Sequence, residues 1–109
     1  PHKEPVPVIT LDPEFENLLI NADRQNQQED LIIDGNLSQN MIRQLSDVVE
    51  QQMAESRTPF LIVAPLIRKK LSKMVRAHLT ELNVLSFTEL NKKKKVDVVA
   101  TVSGAEKDD

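Results

Sequence analysis

The pattern of apolar and polar positions is most regular between residues 59 and 90, where it predicts a strand, a helix and a second strand. Residues 60–64 form a short apolar run between two prolines, which is typical of a buried strand. From Ile67 onward the apolar residues recur at helical spacing. Residues 84–87 form a second short apolar run. Because the joints are short, we expect a βαβ unit with parallel strands and a right-handed crossover.

The chain before this unit predicts one more strand and one more helix. Val6–Leu11 alternates between two faces, and Pro7 within it is typical of a sheet edge or a strand start. Asp12 followed by Pro13 has the composition of a helix start, with aspartate as N-cap and proline in the first turn. The helix that follows carries a single apolar stripe, formed by Phe15, Leu18, Leu19 and Ala22.

A further helix and a last strand complete the predicted elements. Apolar residues at helical spacing between 37 and 53 predict the helix, which ends near Ser56 because the residue before Pro59 avoids helical geometry. The lysine run 92–95 predicts a turn into a strand over residues 96–102, which we expect to pair antiparallel with residues 84–87. Together the elements predict a small two-layer α/β domain with a four-stranded mixed sheet and about three helices.

The length of 109 residues is that of one domain. We interpret residues 1–5 as a linker remnant, 6–102 as a single α/β subdomain and 103–109 as a disordered polar tail. The chain starts with proline instead of methionine, so we expect it to be a piece of a larger protein.

Composition argues against an enzyme. The chain has no cysteine, which excludes thiolate chemistry, and its two histidines are His2 near the terminus and His78, which we expect to be a half-buried structural residue. Its two glycines, Gly35 and Gly104, cannot form a glycine-rich phosphate loop. The acidic residues are too dispersed for a metal site. We therefore expect no catalytic residue, no metal and no cofactor.

The charge is unevenly distributed. The net charge is −3, but residues 1–58 carry −7 and residues 59–109 carry +4. Most of the positive charge lies in the lysine run and on the face of the third helix that is opposite its apolar stripe. A solvated helix face is one interpretation, and phosphate contacts to nucleic acid are another. If this face binds a partner, we favour an acidic protein over nucleic acid, because the three phenylalanines belong to the core and leave no platform for base stacking.

Specific segments resemble a known family. Residues 59–69 read PFLIVAPLIRK, residues 84–90 read VLSFTEL, and residues 96–102 close with the pattern V-x-V-x-A-x-V. Leu11, Asp12 and Pro13 fit the start of the same subdomain. In these segments the chain resembles the last cytoplasmic subdomain of the FlhA/InvA (FHIPEP) family, the export-gate proteins of bacterial type III secretion. The lysine run departs from the family's shorter turn.

The resemblance implies a non-enzymatic docking and gating subdomain of a type III protein export gate. It implies a cytoplasmic domain of a bacterial inner-membrane protein, whose partners are other subdomains and subunits of a ring, export chaperone–substrate complexes and the export ATPase complex, and not nucleic acid. We favour a flagellar system, because the terminal strand ends in V-A-T-V without an extension. The alternative is a nucleic-acid-binding or generic protein-interaction domain that uses its basic helix.

Under this resemblance the basic residues fall into two groups. Arg68 is expected to pair with Glu89, where the helix start approaches the end of the neighbouring strand, as an internal clasp. The residues expected to point away from the core and to contact a partner are Lys69, Lys70, Lys73 and Arg76.

Overall fold

The computed structural model describes residues 4–90 and 93–106, and in these it has four strands and three α-helices. The elements in chain order are β1 (Val6–Leu11), α1 (Pro13–Asn26), α2 (Gly35–Ala54), β2 (Phe60–Val63), α3 (Pro65–Arg76), β3 (Asn83–Ser86), a one-turn 3-10 helix (Phe87–Glu89) and β4 (Val96–Val102). The predicted α/β class, with its βαβ unit from β2 through α3 to β3, is confirmed.

The sheet has the strand order β3-β2-β1-β4, and all three neighbouring pairs are parallel. The predicted mixed sheet, with the last strand antiparallel to β3, was therefore wrong. β4 lies at the opposite edge and pairs with β1, from Val6 opposite Val96 to Leu11 opposite Val102. β3 and β4, the strands before and after the lysine run, therefore lie at opposite edges of the sheet and do not form a hairpin. Asn91 and Lys92 of the lysine-rich connection between them lie outside the described residues.

Aspartates begin the first two helices. Asp12 accepts a hydrogen bond from the Phe15 backbone N–H at 3.0 Å, and Pro13 occupies the first turn, as predicted. Asp34 caps α2 by accepting from the backbone N–H groups of Asn36 and Leu37. Both carboxylates satisfy amides that a helix leaves without intrahelical partners.

Helix α3 begins without a capping side chain of its own. The residue before it, Ala64, donates its backbone N–H to the Glu16 carboxylate of α1 at 3.0 Å. The start of α3 is thereby fixed to α1 through a residue far away in sequence. α3 ends at Arg76, and His78 beyond it is exposed, so the prediction that His78 is half-buried was wrong.

The core lies between one face of the sheet and the three helices, which gives the predicted two layers. Ile9, Leu61 and Val84 occupy matching positions on β1, β2 and β3, and all three are buried. Helix α3 packs against β3 and α1, whereas α2 packs against β4. The helices contribute fully buried side chains to the same cluster, among them Leu19, Leu45 and Leu71. This aliphatic packing supplies most of the apolar burial that stabilises the domain.

The chain beyond β4 is held by α2. The Gln44 side chain accepts from the Ser103 backbone N–H at 3.1 Å and donates to the Ala105 carbonyl at 2.8 Å. Asn40 donates to the carbonyl of Gly104, which is itself buried, at 2.9 Å. Side-chain amides of α2 thus satisfy backbone groups of residues 103–105, at the start of the segment that was predicted to be a polar tail. Residues 107–109 lie outside the described part of the chain.

Candidate partner-binding surface

Helix α3 separates its side chains by character. Ile67, Leu71 and Val75 are buried, and the basic residues occupy the remaining faces of the helix. The structure places the predicted partner-binding residues on this one helix, but their surroundings differ from one to the next.

Lys70 forms an ion pair with α1. Its Nζ lies 2.6 Å from Oδ1 of Asp23, and the two side chains are only 27% and 12% exposed. Lys70 was predicted to point away from the core, whereas in the structure its side chain points toward α1. Its charge is therefore compensated within the domain.

Lys73 also has an acidic partner. Its Nζ lies 2.7 Å from Oδ1 of Asp30, and both side chains are more than half exposed. The hydrogen bond and the charge of Asp30, together with the charge of Glu29, raise the pKa of Lys73 above its ordinary value of 10.5. Because both groups face solvent, this pair orients the side chains and contributes little to stability.

Lys69 and Arg76 retain the most available positive charge. Within the described residues Lys69 has no ion pair, and Arg76 donates from Nη2 to the Thr80 carbonyl at 3.3 Å. A cleft of about 320 Å³ is lined by Glu29, Lys69, Lys70 and Lys73. The surface is therefore one of mixed charge, in which an acidic partner group would meet Lys69 and Arg76 before the paired lysines.

Arg68 and Glu89 join the start of α3 to the end of β3. Arg68 Nε lies 3.2 Å from Oε1 of Glu89, with the side chains 35% and 43% exposed. Glu89 also accepts from the Ser86 backbone N–H at 2.9 Å, as part of a capping box on the 3-10 helix. The hydrogen bond from Ser86 is the main reason that the pKa of Glu89 lies below its ordinary value of 4.5, and the charge of Arg68 adds to this.

Replacing Glu89 by glutamine should reduce stability at neutral pH and reduce it less in acid. The folded-state pKa of Glu89 is lowered, so the stabilisation by its ionised form is present above the ordinary value and is lost as pH falls through the folded-state value. Urea unfolding at about pH 7 and about pH 3 measures this. Glu81→Gln, at an exposed glutamate in the turn before β3, is the control. A difference between Glu89→Gln and the parent chain that does not change with pH would contradict the prediction.

Three acids that bind α3 or the residue just before it were not predicted from the sequence. Glu16 holds Ala64, Asp23 pairs with Lys70, and Asp30 pairs with Lys73. The only available signal was the excess of acidic residues in the first half and of basic residues in the second half of the chain.

Among the residues that the structure describes, no cluster of histidine and acidic side chains could hold a metal ion. In that same part of the chain, no helix has both the length and the apolar character needed to cross a membrane.

The chain matches the model of one known protein family. The model of the FHIPEP family matches residues 1–95. The chain belongs to the FHIPEP family. The match extends from the N-terminal segment through β3 to the lysine-rich connection, so it includes the whole α3 surface.

Two relatives that are similar in sequence have names that describe flagellar proteins. The putative flagellar export/assembly protein LfhA of Escherichia coli O44:H18 (strain 042 / EAEC) is 30% identical over 107 residues, which is 93% of this chain and 15% of that protein. The flagellar biosynthesis protein FlhA of Borreliella burgdorferi is 33% identical over 97 residues, covering 87% of this chain and 14% of that protein. The chain thus spans about one-seventh of the length of these relatives.

Two solved structures have the same fold as this chain. The cryo-EM structure of nonameric EPEC SctV-C matches with a TM-score of 0.71 and 24% identity, over 89% of this chain and 29% of that one. The Chlamydia pneumoniae CdsV and CdsO protein complex matches with a TM-score of 0.66 and 17% identity, over 93% of this chain and 30% of that one. At these identities the likeness establishes the fold, which in both cases corresponds to less than a third of the matched chain.

Proposed function

We propose that this chain is a non-enzymatic docking and gating subdomain of a bacterial flagellar type III protein export gate. The observation that carries the proposal is the FHIPEP family match over residues 1–95, with flagellar relatives at about 30% identity along nearly the whole chain. In this proposal the chain is a cytoplasmic part of an inner-membrane protein.

The proposed partners are proteins. Nonameric SctV-C supports neighbouring copies of the same subdomain in a ring, and the CdsV and CdsO complex supports a second secretion protein as a ligand. We extend the proposal to export chaperone–substrate complexes and to the export ATPase complex. The mixed charge of the α3 surface suits protein partners, since two of its lysines are already paired with carboxylates and are less available to phosphates.

The internal contacts of α3 suit a mechanical role for the subdomain. Two contacts join α3 to α1: Ala64, just before the helix, binds Glu16, and Lys70 in its middle pairs with Asp23. A third contact joins the first turn of α3 to the segment after β3, where Arg68 pairs with Glu89. In the proposed gate α1, α3 and β3 move together as one body. Force from a partner on Lys69 or Arg76 would then be transmitted to the whole subdomain.

Reversing the charge of Lys69 and Arg76 together should weaken partner capture and export while leaving the domain folded. Lys69→Glu/Arg76→Glu reverses the two basic residues of α3 that have no acidic partner among the described residues. The measurement is export of a flagellar substrate by the full-length protein carrying the variant, together with low-salt pull-down by the 109-residue chain. Lys70→Glu is a poor probe, because it would place a carboxylate beside Asp23 and disturb the contact between α1 and α3.

The control changes the same number of charges elsewhere. Lys94→Glu/Lys95→Glu alters exposed residues just before β4, at the far edge of the sheet from β3. Export that is unchanged by Lys69→Glu/Arg76→Glu, or lowered equally by the control, would contradict a docking role for the α3 surface. A gel shift with nucleic acid that weakens steeply with salt would favour the nucleic-acid alternative instead.

A further inference from the structure

A groove that the export-gate proposal does not use lies at the β4 edge of the sheet. It lies between β4 and α2, has a volume of about 290 Å³, and is lined by β4 and following residues on one side and by α2 on the other. The α2 side is formed by Gln44, Asp47, Val48 and Gln51. Because β3 and β4 are opposite edges of the sheet, this groove is separate from the surface of α3, which packs against β3.

The backbone of β4 offers unpaired hydrogen-bonding groups to this groove. β4 is an edge strand that pairs only with β1 in the described structure. The Val102 carbonyl accepts from the Asp12 backbone N–H at 2.8 Å and so faces β1. Since successive residues of a strand direct their amide and carbonyl groups to opposite sides, those of Thr101 face the open edge. An added strand would find both a donor and an acceptor there.

The available segment is limited to the second half of β4. The pairing with β1 changes register between Val8 and Ile9, which leaves a bulge at Val99, and the first half follows the lysine run and carries Asp97. Bulges and charged side chains are features by which proteins protect sheet edges from pairing. At the other end, the Gln44 side chain already forms hydrogen bonds with the Ser103 N–H and the Ala105 carbonyl. The open edge is thus a short stretch centred on Thr101.

The charges of the groove indicate what it would bind. Of the described residues that line it, Asp47 and Glu106 are acidic and none is basic, while Val48 and Ala100 provide apolar contact. We propose that this groove binds an extended basic peptide segment, which adds to β4 as a fifth strand beside α2. Backbone pairing with Thr101 would give affinity, and a lysine or arginine facing Asp47 would give selectivity. Addition of a strand to an exposed edge beside a helix is a known mode of peptide recognition.

The test uses the 109-residue chain and a defined probe. The probe is a short, blocked, fluorescein-labelled peptide in which valine and lysine alternate, and binding is followed by fluorescence anisotropy. A peptide in which glutamate replaces every lysine should bind at least about fivefold more weakly, since its carboxylates would face Asp47 and Glu106. Hydrogen exchange of the Thr101 amide should slow when the lysine peptide is bound, and should slow less at the same concentration of the glutamate peptide.

Two variants separate backbone pairing from charge. Thr101→Pro removes the outward N–H at an edge position where proline is tolerated and should weaken binding about tenfold. Thr101→Val is its control, because it keeps the N–H and removes the same hydroxyl contact to Thr10. Asp47→Lys should weaken the lysine peptide about fivefold and should not weaken the glutamate peptide.

Several results would overturn the proposal. These are equal binding of the two peptides, equal binding by Thr101→Pro and Thr101→Val, or protection that maps to another part of the chain. Concentration-dependent dimerisation that Thr101→Pro abolishes would assign the edge to a second copy of this chain instead. None of these results bears on the α3 surface, so failure here leaves the export-gate proposal to its own test.

Discussion

Replacing Leu71 by alanine is expected to lower the free energy of unfolding by about 2–5 kcal/mol. Leu71 is completely buried in the middle of α3 and belongs to the cluster that joins the sheet to all three helices. Truncating it removes apolar burial and leaves a cavity that rigid neighbours fill only in part. Because a domain has only about 5–15 kcal/mol of stability in total, the change should be visible as a large shift in the urea midpoint.

Leu66→Ala provides the matched control. It removes the same atoms from the same helix, but Leu66 is 51% exposed. Its cost should be within about 0.5 kcal/mol, as is usual for surface substitutions. If the two variants were equally destabilised, α3 would not present the face to the core that the structure assigns, and the placement of its basic residues would also be wrong.

The elements of the βαβ unit could be predicted because local signals there are strong and agree. Apolar residues at helical spacing over residues 67–75 dictate α3, and two short apolar runs bounded by turn residues dictate the strands beside it. The same applies to the start of α1, where an N-cap and a first-turn proline occur together at Asp12 and Pro13. Such signals act within a few residues, so a single sequence contains them.

The position of β4 could not be predicted in the same way. Alternation over residues 96–102 indicates a strand but does not say which neighbour it pairs with. The connection before it is short enough for a hairpin, and a hairpin gives antiparallel pairing with the previous strand. The free side of β1 instead accepts β4 in parallel, a choice that depends on which sheet edge is open in the folded protein.

The candidate surface shows the same limit of local reasoning. The basic face of α3 could be predicted from periodicity, but its acidic partners lie on α1 and in the segment after it. Residues 23–30, which include both acids, contain no apolar residue, so their sequence gives no sign that they pack against α3. Ion pairs between residues more than forty positions apart leave no periodic pattern in the sequence, so the free positive charge of α3 was overestimated.

Replacing Gly104 by alanine should destabilise the domain by about 1–3 kcal/mol, although only a methyl group is added. A Cβ at this position would lie 2.5 Å from Cε1 of Phe15 and 3.0 Å from Cδ2 of Leu37. Phe15 is buried at the start of α1, where Asp12 holds its backbone N–H, so its ring has little freedom to withdraw. Urea unfolding measures the loss, and proteolysis after residue 103 should accelerate if the segment detaches from α2.

Gly35→Ala is the matched control, since a Cβ there meets nothing within 4 Å and the residue is the first of α2. Alanine in a helix should leave stability unchanged or raise it by up to about 1 kcal/mol. A second check combines Gly104→Ala with Phe15→Leu: because the smaller side chain makes room for the methyl group, the double variant should lose less than the two single changes add up to. Simple additivity, or a Gly104→Ala variant as stable as Gly35→Ala, would mean that residues 103–106 do not pack on Phe15 as described. That result would also mean that the end of the β4 groove near Ser103 is not formed as described, because Gln44 binds the backbone of the same segment.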